Sequence, residues 1–148
     1  MIYSKKIREA AELAYICHGM QKDKAGYPYI MHPLHLAEQM DDEDSVIVAL
    51  LHDTVEDCGL SPDALLDYGF SAVQVGAIEA LTHDKDMDYL EYIKKQVKPN
   101  ALATKVKIAD LKHNMDLSRF NGCDMELAWD AAKRRKEKYK AALEILET

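Results

Sequence analysis

An unbroken run of six apolar residues, from Val46 to Leu51, passes directly into the pair His52-Asp53. The β-branched residues of this run fit a buried strand, and its length fits a short buried helix equally well. We predict a helix, because the flanking segments carry helical signals and the polar spacing that follows makes sense only on a helix. Titratable residues directly after a buried element need partners, since an unpaired buried charge is costly.

Helix signals continue along the chain. Ser71 followed by Gln74 matches a capping box, and Ser61-Pro62 favours a helix start that Gly69 ends. We therefore predict an all-α fold without a substantial sheet, in one domain spanning residues 1–148. The predicted helices cover roughly residues 3–18, 33–40, 45–53, 62–69, 71–81, 89–97, 100–114 and 125–146.

Charge and composition exclude several classes of partner. The formal net charge of −7 argues against general nucleic-acid binding, which requires Lys and Arg to neutralise phosphates. The longest apolar run is too short to cross a bilayer, and the N-terminal residues do not resemble a signal peptide. Three widely spaced cysteines fit a reducing cytosol. We expect a cytoplasmic protein that binds neither nucleic acid nor membrane, and the oligomeric state stays open.

The segment from His52 to Asp57 is the best candidate for chemistry. Adjacent helical residues project about 100° apart, so His52 and Asp53 can both contact one ion. Asp53, Glu56 and Asp57 follow at i, i+3 and i+4, which places three like charges on one helix face. A divalent cation would compensate their repulsion. A solvated acidic helix end is the alternative for Glu56 and Asp57, but it explains His52-Asp53 poorly.

His32 and Asp110 are less specific candidates when spacing alone is considered. A single histidine after a loop that contains Gly and Pro is more often structural than a metal ligand. Asp110 and Asn114 are one helical turn apart, either as a ligand with a substrate-binding amide or as an ordinary hydrogen-bonded pair. Two His and two Asp would together form a mixed N/O site suited to Mn²⁺, Fe²⁺ or Zn²⁺.

Such a site favours hydrolysis of a phosphate ester. A divalent metal lowers the pKa of water and neutralises charge on phosphoryl oxygens. Glu56 and Asp57 would then orient the water and take its proton. The basic segment 133–140 is either a solvated helix face or a surface that helps to hold an anionic ligand near the metal.

Three blocks resemble the hydrolase domain of RelA/SpoT-type enzymes and of the small alarmone hydrolases, within the HD phosphohydrolase superfamily. They are AYICHGMQKDKAGYPYIMHPLHLAE, HDTVEDC and KIADLKHNM, and the resemblance extends over nearly the whole chain. It implies a compact HD-domain helical bundle that hydrolyses the 3′-pyrophosphate of ppGpp, releases pyrophosphate and leaves GDP. The family's metal, usually Mn²⁺, is bound at the positions of His32, His52, Asp53 and Asp110. Glu56 and Asp57 match positions that activate water, and Asn114 matches a nucleotide contact.

The chain departs from the family at positions that read the substrate. Asp23 stands where the family usually has an arginine that packs against guanine, and Asp116-Leu117 stand where Arg and Thr are frequent. A carboxylate can accept a hydrogen bond from a base but cannot cap its ring as a guanidinium does. Asp23 remains a candidate substrate contact, and the candidate phosphate contacts are Lys24, Lys107 and the basic C-terminal helix with Tyr139.

Two alternatives stay open beside a (p)ppGpp 3′-pyrophosphohydrolase. The first is a hydrolase of another nucleotide, such as an adenine alarmone, NADPH or a nucleoside monophosphate, and Asp23 favours it. The second is a non-catalytic nucleotide-binding relative. The pair Glu56-Asp57 argues against the second alternative, because a protein that only binds needs no carboxylates to activate water.

Overall fold

The computed structural model describes residues 1–121 and 126–148, of which 126–128 are described by their backbone alone. Nine α-helices are present in these residues, together with a π-helical turn at Ile93–Val97 and a 3₁₀ turn at Leu117–Phe120. The helices are α1 Lys5–His18, α2 Met31–Glu38, α3 Glu43–Leu51, α4 Thr54–Cys58, α5 Pro62–Asp67, α6 Ala72–Leu81, α7 Tyr89–Tyr92, α8 Ala101–Asn114 and α9 Glu126–Glu147. Extended pairing in the described ranges is limited to one bridge between Lys22 and Pro28. The all-α prediction is confirmed.

Most helices begin at the polar residues that the sequence offers as caps. The Ser71 hydroxyl accepts from the Gln74 amide while the Gln74 side chain accepts from the Ser71 amide, so the predicted capping box is present. Such a cap contributes about 1 kcal/mol by satisfying amides that have no helical partner. Ser4, Asp42, Ser61 and Asn100 cap α1, α3, α5 and α8 by accepting a single hydrogen bond from a first-turn amide.

Helix α3 is the centre of the core. Every residue from Ser45 to Leu51 is buried, and α3 packs against α1, α2, α6 and α8. A helix that is apolar on all sides can lie only inside a protein, which explains why the run shows no amphipathic period. The ambiguity between strand and helix is thus resolved as helix.

The helix predicted to continue through His52-Asp53 is interrupted there. Helix α3 ends at Leu51, whose carbonyl accepts a hydrogen bond from the Thr54 hydroxyl at 2.8 Å. Asp53 then leaves the helical region, with φ −103° and ψ 2°, before α4 begins at Thr54. His52 and Asp53 therefore lie at a corner between two helices, whereas Glu56 and Asp57 belong to α4.

The C-terminal half differs from expectation only in detail. The helix expected over 89–97 begins as α7 and continues as a π-helical turn from Ile93 to Val97. Helix α9 starts at Glu126, and Met125, its predicted first residue, lies outside the described residues, as does Cys123. In the portion of the chain that is described, no helix is long and apolar enough to span a membrane.

Candidate active site

Three residues from two neighbouring parts of the fold form a compact cluster. His32 comes from α2, and His52 and Asp53 come from the corner between α3 and α4. One potential ligand atom of each lies within 4.8 Å of the other two. His52 Nε2 is 3.0 Å from Asp53 Oδ2. The interruption after Leu51 thus places both residues of the HD pair beside α2.

Asp110, from the middle of α8, reaches the same cluster. Its Oδ1 atom is 2.8 Å from His32 Nε2 and 3.6 Å from His52 Nε2. Asn114, one turn further along α8, donates to the same oxygen at 3.1 Å. Lys107, one turn earlier, donates to Asp110 Oδ2 at 2.8 Å. The structure therefore brings together all four predicted metal ligands.

Hydrogen bonds outside the cluster orient both imidazole rings. His52 Nδ1 donates to the Ala49 carbonyl at 2.7 Å, which leaves Nε2 directed at the cluster. His32 likewise turns Nε2 inward, while its Nδ1 is 2.7 Å from Nδ1 of His113. The Tyr29 hydroxyl donates to Asp53 Oδ2. Partners of this kind fix the tautomer and direction of metal-binding side chains.

The electrostatics of the cluster favour a cation. Burial opposes ionisation of Asp53, but the neighbouring His52 lowers its pKa to about 2. Burial likewise opposes protonation of His52, yet Asp53 and Asp110 raise its pKa well above the usual range. Asp110 is buried too, and Lys107 and the histidines hold its pKa well below the ordinary value. Two ionised carboxylates therefore concentrate negative potential at the cluster.

These residues fit a divalent metal ion. Two imidazole nitrogens with two carboxylates form a donor set that suits Mn²⁺, Fe²⁺ or Zn²⁺. His52 Nε2 is buried and forms no hydrogen bond of good geometry among the described residues, although Asp53 Oδ2 lies 3.0 Å away. A bound cation would satisfy this nitrogen, which otherwise carries the cost of an unpaired buried polar atom.

Glu56 and Asp57 face the same cavity as the cluster. Glu56 Oε1 accepts a hydrogen bond from the His83 amide at 2.6 Å, and Asp57 Oδ2 accepts one from Gln21 Nε2 at 3.3 Å. Both side chains are solvent-exposed at the cavity mouth, yet the surrounding protein displaces enough water to raise the pKa of each carboxyl. A carboxylate with a raised pKa is a stronger base, as proton abstraction from water requires.

The cavity has two adjoining parts. One part, of about 400 Å³, is lined by His32, Asp53 and Asp110 of the cluster together with Glu56 and Lys107. The other, of about 310 Å³, contains Asp23 and Arg119. Lys24, Tyr29, His32, Asp57, Asn114 and Tyr139 line both parts. The predicted contacts Lys24, Asn114 and Tyr139 therefore lie where the two parts meet, while Lys107 and Asp23 lie at opposite ends.

The basic C-terminal helix does reach this cavity. Arg135 lines the second part, and Lys138 lines the first, with its Nζ atom 4.6 Å from the centroid of the Tyr89 ring. Burial and the nearby Arg135 and Lys138 lower the pKa of Lys24. Three cations thus crowd the walls, an arrangement that an anionic ligand would relieve. Lys133 and Arg134 of the same segment line neither part, so the cavity is lined by the helix face that carries Arg135, Lys138 and Tyr139.

Several residues of the site carried no signal in the sequence. Tyr29 lies three positions before His32 but belongs to no recognisable motif, and neither Gln21 nor His113 shows a spacing that predicts a role. Arg119 lies in the 3₁₀ turn and pairs with Asp23 across 96 positions of sequence. A contact over such a separation leaves no local pattern.

A helical bundle with a buried His/Asp cluster beside two further carboxylates defines an HD-type hydrolase domain. No protein-family model matches the sequence. The chain is 38% identical over 127 residues to the mouse and human guanosine-3′,5′-bis(diphosphate) 3′-pyrophosphohydrolases MESH1, covering 77% of this chain and 70% of each relative. A bacterial enzyme of the same name, from Aquifex aeolicus, is 49% identical over 59 residues, which are 37% of this chain and 8% of that protein.

The fold agrees with these relatives. A solved structure of a metazoan SpoT orthologue, described as hydrolysing ppGpp, superposes with a TM-score of 0.75 at 23% identity, covering 97% of this chain and 88% of the other. The chain belongs to the RelA/SpoT-type hydrolase family of the HD-domain superfamily.

Proposed function

We propose that this protein hydrolyses the 3′-pyrophosphate of ppGpp and pppGpp, releasing pyrophosphate and leaving GDP or GTP. The observation that carries the proposal is the two-part cavity. Its first part holds the His/Asp cluster beside Glu56 and Asp57, and cationic side chains line both parts. The names of the MESH1 relatives supply the substrate class. A cytoplasmic location and a single domain over residues 1–148 stay predictions.

His32, His52, Asp53 and Asp110 would hold the metal, with Mn²⁺ as the proposed ion and Fe²⁺ or Zn²⁺ as further candidates. When bound, the ion neutralises charge on the phosphoryl oxygens and lowers the pKa of water. Lys107 holds Asp110 in place through its hydrogen bond at 2.8 Å. The carboxylate therefore stays ionised in a buried position, as a ligand must.

Glu56 and Asp57 would orient the attacking water and take its proton. The His83 amide fixes one oxygen of Glu56, which leaves the other free to accept a proton. Gln21 plays the corresponding part for Asp57. As the water oxygen bonds to the phosphorus, the bond from phosphorus to the ribose 3′-oxygen breaks. The 3′-oxygen takes up the proton that was removed from the water and becomes a hydroxyl, and pyrophosphate leaves.

The phosphate groups would lie between the cluster and the basic residues. Lys24 and Lys138 line the cluster side, and Arg135 lines the other side. Tyr139 and Asn114 stand where the two parts meet, which is suited to the ribose. This arrangement binds a small nucleotide without requiring the wide basic surface of a nucleic-acid-binding protein.

The test measures pyrophosphate release from ppGpp, pppGpp and ppApp, and phosphate release from NADPH, by the Mn²⁺-loaded protein. We expect ppGpp and pppGpp to give the highest kcat/KM. Preference for ppApp or NADPH would instead support hydrolysis of another nucleotide. No turnover with stoichiometric metal would support a non-catalytic binder.

The Asp53→Ala variant serves as the control for the metal. We expect it to lose bound metal and activity together, since the cluster then lacks one ionised ligand. Full metal content in this variant would contradict the ligand assignment.

A further inference from the structure

The Asp23 carboxylate forms three hydrogen bonds within the protein. Its Oδ1 accepts hydrogen bonds from the backbone amides of Ala25 and Tyr27, at 2.9 and 3.0 Å. Its Oδ2 accepts from Arg119 Nη1 at 3.0 Å. Three of about four acceptor positions of the carboxylate are thus occupied. Asp23 is consequently poorly placed to accept a further hydrogen bond from a ligand, and its main effect is to hold Arg119.

Arg119 is held from two sides. Besides the ion pair with Asp23, its Nη2 donates to the His113 carbonyl at 3.4 Å. These contacts fix the guanidinium plane at the wall of the second part of the cavity, next to Phe120 and Lys24. A guanidinium carries five N–H donors in a rigid fork, so a fixed Arg119 retains donors for a ligand.

The charge balance distinguishes Arg119 from its neighbours Lys24 and Arg135 in the second part of the cavity. The positive charge of Arg119 is compensated by Asp23, whereas Lys24 and Arg135 form no ion pair with any described carboxylate. A phosphate gains most from uncompensated cations, and so it would lie towards Lys24 and Arg135. A compensated guanidinium is better matched to a neutral group that offers hydrogen-bond acceptors.

We propose that Arg119, positioned by Asp23, reads the acceptor edge of the purine base and thereby selects guanine over adenine. Guanine presents two acceptors on that edge, O6 and N7, which fit the two arms of a guanidinium. Adenine presents N7 beside the N6 amino group, a donor that cannot bond to another donor. The inference rests on the proposed function for the placement of the base, and it makes Arg119 a specificity-determining residue and Asp23 a positioning residue.

The test is a binding measurement that does not depend on turnover. The dissociation constants of GDP and ADP are measured by titration calorimetry with Mn²⁺ present, for wild type, Arg119→Ala, Arg119→Lys and Asp23→Asn. We expect wild type to bind GDP more tightly than ADP by a factor between about 5 and about 100, the range for a good bidentate pair. Both Arg119 variants should bring this ratio close to one, because lysine keeps the charge but lacks the fork.

Asp23→Asn is the sharper variant. Its remaining oxygen can still accept from Ala25 and Tyr27, while an amide group replaces the oxygen that faces Arg119. We expect the loop to stay folded and the GDP to ADP ratio to fall. Arg134→Ala, which removes an exposed arginine of α9, is the matched control and should leave the ratio unchanged.

Three results would overturn the inference. The first is that wild type binds neither nucleotide or binds both equally. The second is that the Arg119 variants keep the wild-type ratio. The third is that the Arg119 variants lower the affinities for GDP and ADP by one common factor. The last result would assign Arg119 to a phosphate or to the fold. A wild type that discriminates between the bases but releases no pyrophosphate would refute the proposed function alone.

Discussion

Replacing Glu56 by Gln tests the proposed chemistry with little change in shape. Glutamine keeps an oxygen that can accept from the His83 amide, at the 2.6 Å contact of Glu56, but it cannot take a proton from water. Loss of a general base lowers the rate by about 10²- to 10⁴-fold, which corresponds to about 2.7 to 5.4 kcal/mol of transition-state stabilisation. We expect kcat for ppGpp to fall within this range while the content of bound metal is unchanged.

The assay is single-turnover release of pyrophosphate at saturating protein, accompanied by metal analysis of the same preparation. Glu38→Gln, at an exposed position of α2 away from the cavity, is the matched control and should keep the wild-type rate. An unchanged rate in Glu56→Gln would remove Glu56 from the mechanism. Loss of metal together with rate would show that Glu56 supports the cluster instead.

The pH dependence gives an independent check on the same residue. Displacement of water by the surrounding protein raises the pKa of Glu56, so its carboxylate becomes protonated at a higher pH than an ordinary glutamate. A protonated Glu56 cannot accept a proton, and wild-type kcat should therefore begin to fall, as pH decreases, above the usual range for glutamate. Glu56→Gln should lose this acidic limb. A wild-type profile that stays flat through that range would contradict the assignment.

Three further predictions concern metal binding and stability. Tyr29→Phe removes the hydrogen bond to Asp53 and should weaken Mn²⁺ binding by about 10- to 100-fold in a calorimetric titration; unchanged affinity would show that the bond is dispensable. Leu50→Ala, at a fully buried position of α3, should lower the free energy of unfolding by about 2 to 5 kcal/mol in a urea titration. A loss below about 1 kcal/mol would contradict the central place of α3. Treatment of the loaded protein with EDTA should lower Tm, because a ligand that binds only the folded state stabilises it; an unchanged Tm would indicate that no metal was held.

Local signals in the sequence predicted most of the helix starts but not the interruption inside the main motif. The helix caps Ser71 and Asn100 can be predicted from the adjacent sequence, because a cap satisfies amides two or three residues away. The end of α3 depends on the Thr54 hydroxyl and on the position of His52 against α2, and an apolar run followed by charges does not encode either. The continuous helix predicted through His52-Asp53 was therefore wrong, although both residues do face one cluster.

The site residues likewise fall into those that local spacing predicts and those that only the fold brings together. Asp53, Glu56 and Asp57 could be grouped from spacing, since they lie within one or two turns of each other. His32 and Asp110 are 78 positions apart, and only the packing of α2 against α8 brings their side chains to 2.8 Å. Spacing alone does not distinguish either residue from a structural one, and the family resemblance is needed to select them as ligands. Asp23 shows the limit of such a comparison, because its partner Arg119 is defined by the fold and not by the matched blocks.

The corner after α3 explains how a site with so much negative charge is kept in place. His52 is hydrogen-bonded to the Ala49 carbonyl of α3, a helix that is buried from Ser45 to Leu51. The imidazole therefore cannot move away without disturbing the core. Within α8, Lys107 and Asn114 fix Asp110. His32 of α2 is held by its contact with His113 of α8. A cation held by these residues would join α2, α3 and α8 at a single point. Metal binding and stability of the central packing are therefore expected to be coupled, because the ion compensates charge at the place where the three helices meet.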